Sequence, residues 1–212
     1  IIMEISKGHV ILDPSSGSGD TQLTLKAESA NVGNREIVKT VFTIKAAGVS
    51  PNKTVTANLA AAPEFITLEQ SGTGVTVPAK AGSFTITGVS NSPKLEFGVE
   101  GGDIVEEDLG DKQFTADGSI TATNGVAISG DPGADHKYEF SIEINYVLND
   151  TVDSRTQVFT IQGSSESVKQ TLTITQSAGA ARLEVSPAEI TVPQDGSVVN
   201  VQVTTNTTFT VS

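Results

Sequence analysis

The sequence predicts an all-β chain built from tandem antiparallel β-sandwich modules. Three observations carry that expectation. Apolar and polar residues alternate with period two along most of the chain, and apolar residues nowhere recur convincingly at helical spacing. Turn-forming clusters punctuate the alternation: DPSSGSGD (13–20), NVGN (31–34), GVSPN (48–52), GDPGAD (130–135) and GSSES (163–167). Many short strands with frequent turns point to a sandwich. A junction also recurs. ITLEQSG (66–72) leads into GVTVPAKAGSFTITGVSNSPKLEFGV (74–99), and LTITQS (172–177) leads through a short Gly/Ala link into LEVSPAEITVPQDGSVVNVQVTTNTTFTVS. Both read as a strand ending in Gln-Ser, a Val-Pro strand, a Gly turn and alternating strands.

Taken in order, QLTLKA places Leu23, Leu25 and Ala27 on one face, VFTIKA does so with Phe42 and Ile44, and KTVTANLA with Val55, Ala57 and Leu59. KYEFSIEINYVLND is the clearest case. Tyr138, Phe140, Ile142, Ile144, Tyr146 and Leu148 point one way, as a half-buried antiparallel strand requires. Gly17, Gly19, Gly82, Gly133 and Gly196 fall in turns. Pro78 and Pro193 cannot donate to a ladder, so their strands are expected at sheet edges or bulges. Gln70 and Gln176 read as polar residues leaving the sandwich where a linker begins. Arg35 and Arg155 each read as part of a middle turn before a Val-Phe-Thr-Ile strand. The expected organisation is residues 1–72 as the second half of a module or a small sandwich, 73–179 as a complete module with an acidic insertion at 100–119, and 180–212 as the first half of another.

Composition narrows function. The 212 residues carry no Cys, no Trp, two His and a formal charge of -12. Disulfides, thiol catalysis and Cys-based zinc sites are excluded. The charge argues against nucleic acid, whose phosphates call for a Lys/Arg surface, and against docking on anionic lipid. No apolar run approaches the roughly 20 residues of a membrane helix. IIMEI is too short and wrongly flanked for a signal peptide, and Met3 is internal, so a mature or trimmed fragment is expected.

Several of these stretches resemble a known family. PSSGSGD, an Arg-containing turn, a T-x-V-F-T-I strand and the terminal T-I-T-Q-S-A-G look like the BACON family, Ig-like modules of Bacteroidetes extracellular proteins. LEVSP…ITVPQDGSVVNVQVTTNTTFTVS resembles the front half of such a module, with Phe209 where the family usually has Trp. The resemblance covers most of the chain, with 101–119 the main departure. It implies tandem Ig-like sandwiches, an extracellular or outer-membrane-attached location, and a role as spacer or carbohydrate-binding module.

Candidate chemistry is sparse. Ser129, Asp131, Asp135 and His136 share one turn, whereas a catalytic triad draws its members from separate elements. The expectation is a non-enzymatic protein without a resident cofactor. The acidic insertion gathers Asp103, Glu106, Glu107, Asp108 and Asp111, oxygen ligands suited to calcium on a flexible loop, although the spacing fits no EF-hand; a solvated acidic surface is the alternative. Phe114, Asp117 and Phe65 are the candidate ligand-binding residues, the two Phe as exposed aromatics. Asp150-Thr151-Val152 resembles a bacterial O-glycosylation acceptor, with Thr151 the modified residue. Expected partners are other domains of the same surface protein or neighbouring copies, and polysaccharide in a second reading. Half-modules leave open sheet edges; a longer array, small complete sandwiches or strand exchange between copies would each account for them. The overall expectation is a spacer or adhesion array, with a calcium-dependent glycan binder or a subunit of a surface filament or phage virion as alternatives.

Overall fold

The computed structural model describes residues 5–7, 9–28, 31, 33, 35, 38–70, 72 and 74–212. β1 (Ile5–Lys7), β2 (Val10–Asp13) and β3 (Thr24–Ala27) form a three-stranded antiparallel meander, and β4 (Val38–Ile44) and β5 (Lys53–Leu59) form a separate hairpin. Next come β6 (Ile66–Leu68), β7 (Val75–Val77), β8 (Gly82–Ser90), β9 (Glu96–Glu100), β10 (Gln113–Ala116) and β11 (Ile120–Thr123). One helical turn, α1 (Pro132–Asp135), precedes the long strands β12 (Tyr138–Tyr146), β13 (Arg155–Gln162) and β14 (Lys169–Gln176). β15 (Leu183–Ser186) and β16 (Gln202–Thr205) make the last hairpin. The fold is all-β, and no described helix is long and apolar enough to cross a membrane.

Two sheets enclose the main core. One runs β11-β10-β12-β8-β6 and the other β7-β14-β13-β9. β12 turns Tyr138, Phe140, Ile142 and Ile144 inward, while Phe159 and Ile161 of β13 and Leu172 and Ile174 of β14 are likewise buried. Burying one such side chain contributes about 1.5–3 kcal/mol, so this alternation supplies the driving force for the two-sheet packing. Phe97 contacts Phe114, Phe140 and Phe159. Leu148 departs from the expected stripe: β12 ends at Tyr146, and Leu148 is exposed beyond it. β7, followed by Pro78, lies at a sheet edge parallel to β14, as its proline predicts.

The structure departs from the sequence expectation at four points. Ile66–Leu68 does not close the preceding strands but pairs with β8 and enters the main core, so the expected boundary at Gly72 falls after a strand of the central sandwich. ITLEQS and LTITQS are therefore not equivalent, because β6 and β14 belong to different sheets. The acidic insertion is not a surface excursion throughout: Ile104, Val105, Leu109, Phe114 and Ala116 from it are buried. Arg155 opens β13 rather than occupying a turn.

A different equivalence replaces the Gln-Ser one. β4 pairs with β5 so that Phe42 faces Val55 and Ile44 faces Lys53; β13 pairs with β14 so that Phe159 faces Leu172 and Ile161 faces Gln170. One constant shift in residue number carries the first hairpin onto the second. At the other end, β6 pairs with β8 with Ile66 opposite Ser90 and Leu68 opposite Gly88. β15 pairs with β16 with Leu183 opposite Thr205 and Val185 opposite Val203. Side-chain register fixes which face of a strand is apolar, so matched registers mean matched faces. The first hairpin thus matches the back hairpin of the central sandwich in register, and the β15–β16 pair matches its front pair. A small separate core of Val10, Leu12 and Phe42, flanked by Leu23 and Ala57, holds the first hairpin to the β1–β3 meander.

Candidate functional site

The acidic residues do not converge. Asp103 is exposed and pairs with Arg155 at 3.0 Å. Glu107 accepts from Lys112 Nζ at 2.7 Å and from the Asn145 backbone N–H at 2.8 Å. Asp108 accepts from the Gly110 N–H of its own turn at 2.8 Å. Glu106 and Asp111 are exposed. Among the described residues no three His, Asp or Glu side chains are grouped as metal ligands would be. Phe114, expected to be exposed, is buried with its ring edge-on to Phe97 at 5.0 Å, because β10 presents it to the core. Phe65 is half-buried beside β6, and Asp117 lies exposed 3.2 Å from His136. Thr151 is exposed; its hydroxyl donates to Asn149 Oδ1 at 2.7 Å, which ties it into its own turn.

The structure instead concentrates polar order where one repeated unit meets the next. Asn91, at the end of β8 and fully buried, makes three bonds. Its Oδ1 accepts from the Phe65 N–H at 2.9 Å, and its Nδ2 donates to the carbonyls of Pro63 and Gly33, each at 3.0 Å. Pro63 lies in the link before β6, and Gly33 lies in the turn before β4. One amide therefore fastens a strand end, the incoming link and the preceding unit's turn. Arg35 adds to the joint: its N–H donates to the Gly133 carbonyl at 3.2 Å, and its guanidinium reaches the Asn91 carbonyl and the Asp131 carboxylate. The approach is close. A Cβ on Gly33 would come within 2.6 Å of the Lys137 backbone nitrogen.

The same construction recurs at the second junction. Asn206, just past β16, accepts at Oδ1 from the Arg182 N–H at 2.9 Å. Its Nδ2 donates to the Ala180 carbonyl at 2.9 Å and to the Asp150 carbonyl at 2.6 Å. Ala180 and Arg182 stand to β15 as Pro63 and Phe65 stand to β6, and Asp150 sits in the turn before β13 as Gly33 sits in the turn before β4. That turn is itself braced: Asn149 Nδ2 donates to the Ser177 carbonyl at 2.9 Å, as Asn31 Nδ2 does to the Ala60 carbonyl at 2.9 Å. The asparagine bonding pattern thus recurs, around a buried Asn91 at the first joint and a half-buried Asn206 at the second. The asparagine joint was not legible in sequence, because its key residues are single asparagines in dissimilar contexts, SNS and TNT; the strand registers bring them into correspondence.

Other buried polar groups stiffen the frame. Gln176, expected to leave the sandwich, is buried. Its Nε2 donates to the carbonyls of Pro78, Ala79 and Val147 at 3.1, 3.2 and 2.7 Å, and its Oε1 accepts from Arg155 Nε at 2.8 Å. Glu64 in the first link accepts from the Ser164 and Ser165 N–H groups at 2.7 and 3.3 Å. Burial works to raise its pKa, but bonds from Ser92, Ser164 and Ser165 prevail and hold it below the ordinary carboxylate value. Glu107 is likewise lowered: burial opposes, and Lys112 and Asn145 prevail. Burial pushes the Tyr138 hydroxyl well above the usual phenol range, and it donates to the Ser92 carbonyl at 2.6 Å.

No family model and no curated protein matches the chain. Among solved structures it is similar to a Bacteroides ovatus GH5 xyloglucanase in complex with an XXXG heptasaccharide, at 14% identity and a TM-score of 0.32. That likeness covers 56% of this chain and 20% of the other, and is too slight to assign a fold or an activity.

Proposed function

We propose that the chain is a run of Ig-like β-sandwich modules, BACON-like in pattern, that acts as a non-catalytic spacer in a bacterial surface protein. The observation that carries this reading is the repeated asparagine joint. A flexible tether needs no three-bonded amide at each junction, whereas a spacer that must hold its ends at a set distance and angle does. Short inter-module links, polar bonds fixed at both ends and close backbone approach at Gly33 all oppose free rotation. The overall charge of -12 suits a soluble stalk that does not collapse on itself or adhere to nucleic acid. An extracellular setting follows from the family resemblance.

Two measurements test the proposal together. Small-angle X-ray scattering of dilute protein is expected to fit one elongated particle, and the Asn91→Ala, Arg35→Ala double variant is expected to need an ensemble of bent forms. A polysaccharide panel probed with calcium and with EDTA is expected to give no saturable binding. Binding that disappears in EDTA would replace the spacer by a calcium-dependent glycan receptor.

A further inference from the structure

Apolar surface is left uncovered at both ends of the described chain, at positions whose register counterparts are buried in the central sandwich. In the last unit Val192 is 66% exposed and Val201 45% exposed, while their counterparts in the central sandwich, Val77 and Ile86, are 4% and 0% exposed. In the first unit Leu25 is 39% exposed, while its counterpart Ile142 is 1% exposed. Within the central sandwich these counterparts belong to strands that are neighbours in a sheet. Ile142 of β12 lies opposite Ile86 of β8, and Val75–Val77 run parallel to Ile174–Gln176.

The open edges sit where covering strands would be needed. β3 is the outer strand of its sheet, and β5 pairs only with β4 among the described strands. Their counterparts β12 and β14 each have a second neighbour, β8 and β7. The segment 190–192, counterpart of β7, has no sheet partner among the described residues and is not a strand. Charge is complementary as well. Residues 38–59 carry Lys39, Lys45 and Lys53 and no acid, while residues 183–212 carry Glu184, Glu189 and Asp195 and no base, and all six are exposed.

Resting on the array reading above, we propose that residues 183–205 of one copy complete the first unit of a second copy by strand addition. Residues 199–202 lie antiparallel to the partner's β3, with Val201 opposite Leu25, the register that Ile86 keeps with Ile142. Residues 190–192 lie parallel to the partner's β5, with Ile190, Thr191 and Val192 beside Ala57, Asn58 and Leu59, the register that Val75–Val77 keep with Ile174–Gln176. Backbone bonds to an exposed edge supply affinity, and alternate side chains entering the partner core supply register. Donor and acceptor surfaces differ, so the contact is head-to-tail and propagates as an open chain or closes as a ring.

The chain has no Cys, which permits a clean cross-linking test on the full 212-residue protein. Asn58→Cys with Thr191→Cys is expected to give a ladder of disulfide-linked oligomers under mild oxidation. The displaced pair Thr56→Cys with Thr191→Cys is expected to give several-fold less. Sedimentation velocity should show mass rising with concentration, and Val192→Asp, at a position exposed in the single copy, should return the protein to monomer with an unchanged melting temperature in dilute solution. A protein that stays monomeric at every concentration, or cross-links equally through both pairs, would overturn the proposal and leave that face to the continuation of a longer polypeptide. A stiff monomer in scattering would overturn strand addition alone; a flexible one would remove the array reading too.

Discussion

Asn91 saturates its side-chain amide at the joint, so truncating it leaves the Phe65 N–H and the Pro63 and Gly33 carbonyls short of a partner. Asn91→Ala is expected to cost about 1–3 kcal/mol, the usual penalty for stranding buried polar groups, measurable by urea denaturation. Gln176→Leu strands three carbonyls and Arg155 together and should fall at or above that range. Phe114→Ala should cost about 3–5 kcal/mol as a core truncation, with the loss read in stability. Acid should act through Glu64 and Glu107. Both are held below their ordinary value of 4.5, so each contributes stability that is fully present above that value and is lost as pH falls through the lower folded-state pKa. Melting temperatures recorded from pH 6 to pH 3 should fall most steeply below about pH 4.5, and Glu64→Gln with Glu107→Gln should flatten that part of the curve.

At the scale of elements, the two front hairpins offer a matched comparison. Leu68 of β6 is buried beneath the opposite sheet, whereas Val185, its counterpart in β15, is exposed. Leu68→Ala should cost about 2–5 kcal/mol, while Val185→Ala in the single copy should stay within about 0.5 kcal/mol; equal costs would mean that β15 is covered after all. Strand identity was legible in the sequence because alternation is a local property: the stripe from Tyr138 to Tyr146, the inward Phe42 and Phe140, and the edge placement of β7 could all be read without tertiary information. Pairing was not legible. ITLEQS and LTITQS look alike, yet one joins β8 and the other β13, because sheet membership depends on partners distant in sequence. The acidic insertion misled for a related reason. Its charges are interspersed with Ile104, Val105 and Leu109, and only the fold decides which of the two sets faces outward.

For the whole molecule, the proposed spacer requires that each joint hold one unit at a set angle to the next. That geometry suits a stalk, and strand addition between copies would continue it beyond one polypeptide. The claim at the centre is that the joint is stiff. Its most direct measurement is the distance distribution between two spin labels, one at Lys39→Cys on β4 and one at Glu143→Cys on β12, by pulsed dipolar spectroscopy of dilute protein. Both sites are exposed, and the chain offers no competing thiol. A single narrow distance that broadens in Asn91→Ala is the predicted result; a broad distribution in the unaltered protein, unchanged by that substitution, would contradict the account.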